Sequence, residues 1–201
     1  MTDTRIEVIL GPMFSGKSTE LIRRTSCYKA IGKSVLRINH LNDTRTEENI
    51  QTHSNIKKNA VKVNSLMSLL DRPEFISSEV IGIDEAQFFD DLYEFIITIE
   101  PLQKIIIVSG LDGDFKRRPI GQILQIIPLC DEVIKLHAMD MVDKDGSPGI
   151  FTKRLSENDD LIVIGAENEY VAVSRKNYFT KPALINTLSV NECWNHVNYT
   201  I

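Results

Sequence analysis

The stretch IEVILGPMFSGKST, Ile6–Thr19, decides the fold. Ile6, Val8, Ile9 and Leu10 form a short apolar run around Glu7, the length of a strand. Directly behind it, Gly11-x-x-x-x-Gly16-Lys17-Ser18 satisfies the whole G-x-x-x-x-G-K-[ST] pattern. The glycines let the backbone bend so that successive N–H groups face phosphate oxygens. A helix starting near Lys17 adds the positive end of its dipole. Lys17 brings a mobile charge to the β- and γ-phosphates, and the Ser18 hydroxyl can ligate Mg²⁺. Gly11, Pro12, Met13, Phe14, Ser15, Gly16, Lys17, Ser18 and Thr19 are therefore the candidate triphosphate-holding residues.

Outward from this loop, short apolar runs alternate with helical stretches. IEVIL (6–10), SVLRIN (34–39), EVIGID (79–84), KIIIVSGL (104–111) and EVIKLH (132–137) are rich in Val and Ile. Several are apolar throughout, as strands are when both faces of a parallel sheet are covered. Helices fit Lys17 to Ala30, Asp90 to Ile99 and Gly121 to Ile127. The alternation predicts an α/β fold: an open, mostly parallel sheet with helices on both faces.

From His137 the texture changes. MDMVDKDGSPG is polar and turn-rich, and FTKRL, DDLIVIG and YVAVSRKNYF read as short strands. The chain thus divides into a phosphate-loop nucleotide-binding domain over 1–136, a smaller appended subdomain over 137–180 and a tail over 181–201. That tail carries Trp194, the single tryptophan.

VIGIDEAQFF, Val80–Phe89, is an apolar strand with Asp84 and Glu85 at its carboxyl end, the edge where open α/β sheets bind ligands. Asp84 fits the carboxylate that accompanies a phosphate loop at Mg²⁺. Glu85 is left for another task, either orienting water or taking a proton from an attacking hydroxyl. The first would make an ATPase motor or switch, the second a small-molecule kinase.

The 201 residues, 42% hydrophobic and 25% charged, suit an ordinary globular chain with a real core. A formal charge of −5 argues against an extended nucleic-acid or anionic-membrane surface and leans towards the kinase. The N-terminus reads as no signal peptide, and no apolar run approaches the roughly 18 residues of a membrane span. Cys27, Cys130 and Cys193 are scattered and odd in number, which suits a reducing compartment such as the cytoplasm.

GPMFSGKSTELIRR, DTR (43–45), THS (52–54), IGIDEAQFF, GLDGDFKRRP, TKRL (152–155), VIGAENEY and RKNYF together resemble the type II thymidine kinases. The similarity runs in order from about residue 6 to residue 179. It implies a RecA-like core and transfer of the γ-phosphate of ATP, with Mg²⁺, to the 5′-hydroxyl of thymidine or deoxyuridine. By position, Glu85 would be the proton acceptor with Asp84 and Gln87 beside it, and Asp43 and Arg45 would lie over the triphosphate. Met13, Phe88, Leu111 and Phe115 would wall the nucleoside pocket, and Arg117 would help neutralise the transferred phosphoryl. A lid loop would close it through the main chain of Leu161, Ile162, Val163, Ile164 and Gly165, together with Tyr170. The resemblance also implies a homotetramer and feedback inhibition by thymidine triphosphate, while the acidic charge balance argues against a nucleic-acid or membrane partner.

Most members of that family hold a structural zinc on two C-x-x-C pairs. Here Asp140 and Asp143 stand at the first pair, and Ser174 and Asn177 at the second. Zinc sites of that kind want thiolate or imidazole, and these are hard oxygen groups. Cys130 and Cys193 are not placed to substitute. The expectation is a zinc-free subdomain anchored by hydrogen bonds and packing.

Overall fold

The computed structural model describes residues 3–43, 49–51, 57–155 and 169–180. In chain order it contains β1 (Arg5–Gly11), α1 (Lys17–Ala30), β2 (Val35–His40), β3 (Asn49–Gln51), β4 (Lys57–Asn59) and β5 (Val61–Val63). There follow α2 (Pro73–Ser77), β6 (Val80–Ile83), α3 (Leu92–Ile99), β7 (Ile105–Leu111) and β8 (Glu132–Lys135). The last elements are β9 (Ala138–Met139), β10 (Pro148–Gly149), β11 (Phe151–Arg154), β12 (Tyr170–Val173) and α4 (Arg175–Tyr178).

Six strands form one sheet in the order β5-β2-β6-β7-β1-β8. Every pairing in it is parallel, so the sheet is more uniform than the mostly parallel one the alternation predicts. The four inner strands β2, β6, β7 and β1 divide their apolar side chains between two cores, as a two-residue period requires. Ile6, Val8 and Leu10 of β1 join Ile81, Ile83, Ile106 and Val108 against Leu92, Phe95, Ile96 and Ile99 of α3. Ile9 of β1 faces the other way, with Val80 and Ile107, onto Leu21 and Ile22 of α1. Helices therefore cover both faces, and truncating a fully buried side chain such as Phe95 would cost about 3–5 kcal/mol.

Three expectations change. The helix read over 121–127 is a run of 3-10 turns, Ile123–Leu129. Pro128 lies inside it and removes an amide donor, and Ile123, Ile126 and Ile127 are β-branched. The strand read in YVAVSRKNYF ends at Val173, because Ser174 caps α4 by accepting the Asn177 amide at 3.3 Å. Asp84 lies just beyond β6 rather than in it. The pairs β9–β10 and β11–β12 form separate antiparallel two-stranded sheets, as does β3–β4. No helix among the described residues is long and apolar enough to cross a membrane.

Candidate active site

β1 delivers Gly11 to the carboxyl edge of the sheet. A Cβ on Gly11 would lie 2.6 Å from both the Leu136 carbonyl oxygen and Ser15 Oγ, so the loop is wound too tightly there for a side chain. Phe14 and Gly16 both take left-handed backbone, at φ 65° and 82°, which turns the loop inward before α1 starts at Lys17. The Lys17 side chain is buried, and its Nζ donates to the Pro12 carbonyl at 2.7 Å. Ser15 Oγ donates to the same oxygen at 2.9 Å. The Met13 amide donates at 2.9 Å to Thr152 Oγ1 of β11, 139 positions away. Ser18 is half-buried in the first turn of α1, and Thr19 is exposed.

β7 separates β1 from β6, and it carries a link to the acidic corner. Asp84 is buried; its amide donates to the Ile38 carbonyl at 2.9 Å, and its Oδ1 accepts from Ser109 Oγ at 2.5 Å. Glu85 follows in left-handed backbone, φ 50° and ψ 40°, a strained conformation for a residue with a side chain. Its Oε2 accepts from Gln87 Nε2 at 2.6 Å. Nearby, His40 ends β2 edge-on to Phe89 at 4.8 Å and tilted to Phe88 at 5.8 Å. Burial there pushes the His40 imidazole below its usual pKa. Ser18 and Asp84 supply hard oxygen donors, the kind a divalent cation accompanying a nucleotide takes.

The loop after β7 winds around Asp114, whose Oδ1 accepts the Lys116 and Arg118 amides at 2.8 Å each. Arg118 pairs with the same carboxylate at 2.8 Å. Phe115 is half-buried beneath Arg154, whose guanidinium lies 3.9 Å from the ring centre. Arg154 is itself buried and donates from Nε to Tyr170 Oη at 3.1 Å. The structure thus gathers Phe115, Tyr170 and Arg154. Leu111, half-buried, ends β7 four residues before Phe115.

The guanidinium of Arg117, the residue expected to neutralise the transferred phosphoryl, lies against aromatic rings. It sits 4.1 Å from the centre of Tyr178, 5.0 Å from Phe179 and 5.4 Å from Phe151. Tyr178 Oη donates to the Phe115 carbonyl at 2.9 Å and ties the two segments. Asp43 is buried, with Oδ2 accepting from Asn39 Nδ2 at 2.7 Å and its carbonyl accepting from the Lys62 ammonium. Arg45, the 161–165 main chain and Trp194 lie outside the described residues.

Thr152, Arg154, Ser109 and His40 carry no role in the sequence reading. TKRL has meaning only as part of a longer pattern, and nothing local signals that its arginine is buried.

At the appended segment, three of the four positions aligned with zinc cysteines, Asp140, Ser174 and Asn177, form a hydrogen-bonded cluster. Asp140 Oδ2 accepts the Ser174 amide at 2.9 Å and Asn177 Nδ2 at 2.8 Å, and Oδ1 accepts the Val142 amide at 2.8 Å. Asp143 pairs at the surface with Lys176 at 3.0 Å. With N–H groups pointing at its carboxylate, this set does not fit a zinc ion. Among the described residues, no group of three or more His, Cys, Asp or Glu side chains is arranged to hold a metal.

Comparison with known proteins gives the chain a family. The family model described as "Thymidine kinase" matches residues 4–178. The thymidine kinase of Raccoon poxvirus is 40% identical over 90% of this chain and 100% of its own length. That of Yaba monkey tumor virus is 42% identical over 87% of this chain and 94% of its own, and that of Vaccinia virus (strain Western Reserve) 40% over 89% and 98%. Among solved structures, the flagellar accessory protein FlaH of Methanocaldococcus jannaschii matches with a TM-score of 0.47 at 17% identity, over 78% of this chain and 74% of its own. By the family match over most of its length and its identity to these relatives, the chain belongs to the thymidine kinase family.

Proposed function

We propose that this chain transfers the γ-phosphate of ATP to the 5′-hydroxyl of thymidine or deoxyuridine, giving the nucleoside monophosphate. The observation that carries the reading is the corner where Asp84 and Glu85 leave β6, in a chain that also winds a phosphate loop around Lys17. Loop amides and Lys17 hold the phosphates, with Lys17 exchanging the Pro12 carbonyl for a phosphate oxygen. Glu85 takes the proton of the attacking hydroxyl. Asp43 and Arg45 approach the triphosphate. Arg117 reaches the transferred phosphoryl by leaving the Tyr178 face.

Met13, Phe88, Leu111 and Phe115 wall the nucleoside, and residues 137–180 act as a lid that adds Tyr170 and the 161–165 main chain. Mg²⁺, held by Ser18 and Asp84, would offset the phosphate charge when bound with ATP. Such chemistry asks chiefly for positioning and charge neutralisation, which these groups supply. We further propose a zinc-free lid, a homotetramer and a cytoplasmic enzyme.

The test is product formation from Mg·ATP with thymidine, deoxyuridine, deoxycytidine or no nucleoside. Thymidine monophosphate from the native protein, reduced about 10²–10⁴-fold in Glu85→Gln, is the expected outcome. ATP hydrolysis indifferent to nucleoside would reject the kinase reading in favour of an ATPase.

A further inference from the structure

Gln87 does more than neighbour the acidic pair. Its side chain is buried and bonded at both ends. The Leu111 amide donates to Oε1 at 3.0 Å, and Nε2 donates to Glu85 Oε2 at 2.6 Å. Since the backbone amide can only donate, the carbonyl end of Gln87 must face β7 and its NH₂ must face Glu85. Asp84, the adjacent carboxylate, is bonded to Ser109 instead.

Two glycines open the space in which Gln87 sits. A Cβ on Gly110 would lie 2.6 Å from Gln87 Oε1 and 2.8 Å from Ile123 Cδ1. On Gly121 it would lie 2.2 Å from the Gln87 carbonyl oxygen, at φ +58°. Glu85 is held in left-handed backbone, and the Gln87 amide is a donor that aims its carboxylate.

We infer that Gln87 is a positioning residue: it references the Glu85 carboxylate to the end of β7 and holds it at the angle proton transfer requires. This rests on the reading of Glu85 as proton acceptor. Leu111, which fixes the amide, is also a proposed nucleoside-wall residue. One side chain therefore couples the placement of the base to the pocket that places the hydroxyl.

The test is a kinetic cycle on the full chain, with thymidine and Mg·ATP. Gln87→Met removes both hydrogen bonds, whereas Gln87→Glu, assayed at a pH where both carboxyls are ionised, keeps an acceptor for Leu111 and loses the donor to Glu85. Both should lower kcat about 10- to 100-fold and leave either KM within about threefold. In a Glu85→Gln background, Gln87→Met should lower the residual single-turnover rate no further, because it acts through Glu85.

A loss in Gln87→Met that Gln87→Glu restores would make Gln87 a prop for Leu111 and overturn the inference. So would an equal loss in both backgrounds, a change confined to KM, or failure of both variants to fold. Full activity of Glu85→Gln would instead reject Glu85 as the base. An inactive Glu85→Gln beside an unaffected Gln87→Met would reject the positioning role alone.

Discussion

The Asn177 side-chain amide donates to Asp140 Oδ2 at 2.8 Å, across 37 positions of sequence. Both residues are buried, and the same carboxylate takes the Ser174 and Val142 amides. One acid therefore binds the turn after β9 to the start of α4. Lys176 and Asp143 add a surface ion pair nearby.

Asp140 should make stability depend on acidity in a defined window. Burial raises its pKa, but the hydrogen bonds from Ser174, Val142 and Asn177 outweigh burial and hold it below the usual carboxylate value. A carboxyl whose pKa is depressed by folding stabilises above its unfolded value and loses that contribution as pH falls through the folded one. Asp140→Asn is expected to cost about 1–3 kcal/mol at pH 7, a gap that narrows below about pH 4. Denaturant titrations at the two pH values measure it, and an undiminished gap in acid would contradict it.

Removing metal should leave the appended segment intact. Prolonged dialysis against a strong chelator, without nucleotide, is expected to leave the melting temperature unchanged. A zinc-held fold loses much of its stability under such treatment. Stoichiometric zinc in the purified protein would count against this prediction directly.

Lys153 secures the other end of α4. Its buried ammonium donates to the Asn177 and Tyr178 carbonyls at 3.0 and 2.9 Å, and also to that of Thr180. Lys153→Met strands those carbonyls and should cost about 1–3 kcal/mol, while Asp140→Asn disturbs the opposite end. Proteolysis near 175–180 should accelerate in the variant.

Thr152 joins the phosphate loop to β11. Thr152→Val leaves the Met13 amide without its acceptor and should raise the KM for ATP or thymidine about five- to tenfold, with Thr152→Ser close to native. Identical constants in all three proteins would show that the link has no bearing on binding.

Variants of Arg117 separate a packing contact from a catalytic one. If it serves only to stack on Tyr178 and its neighbours, Arg117→Ala removes about 0.5–1 kcal/mol of stability and little rate. The proposed role predicts a kcat loss above about tenfold, far more than that stacking explains. Steady-state rates and thermal melts on the same sample decide between them.

Much of the molecule was legible because its signals are local. Gly11 to Ser18 specify a loop by backbone freedom and charge within eight neighbouring positions, and the Val- and Ile-rich runs mark strands covered on both faces. Element ends fell within a few residues of those expected. α4 was missed because Ser174 to Asn177 is a single capped turn behind an apolar strand, too short to show a helical period. The run at Ile123–Leu129 misled because its apolar spacing suits a helix while Pro128 withholds an amide.

By itself the sequence determined the phosphate loop, the apolar strands of the sheet behind it and the acidic pair at its edge, since each is written in residues adjacent in the chain, while the order in which the strands pair joins positions as far apart as Arg5 and Ile105. Tertiary structure decided what lies across long separations: the burial of Arg154 under Tyr170, the stacking of Arg117 on Tyr178, and the fastening of Gln87 between Glu85 and Leu111. It also decided that Asp140 gathers amides where a resemblance places zinc thiolates. Hydrogen-bond direction and burial are properties of the packed environment, and no single segment carries them until its partners have folded against it.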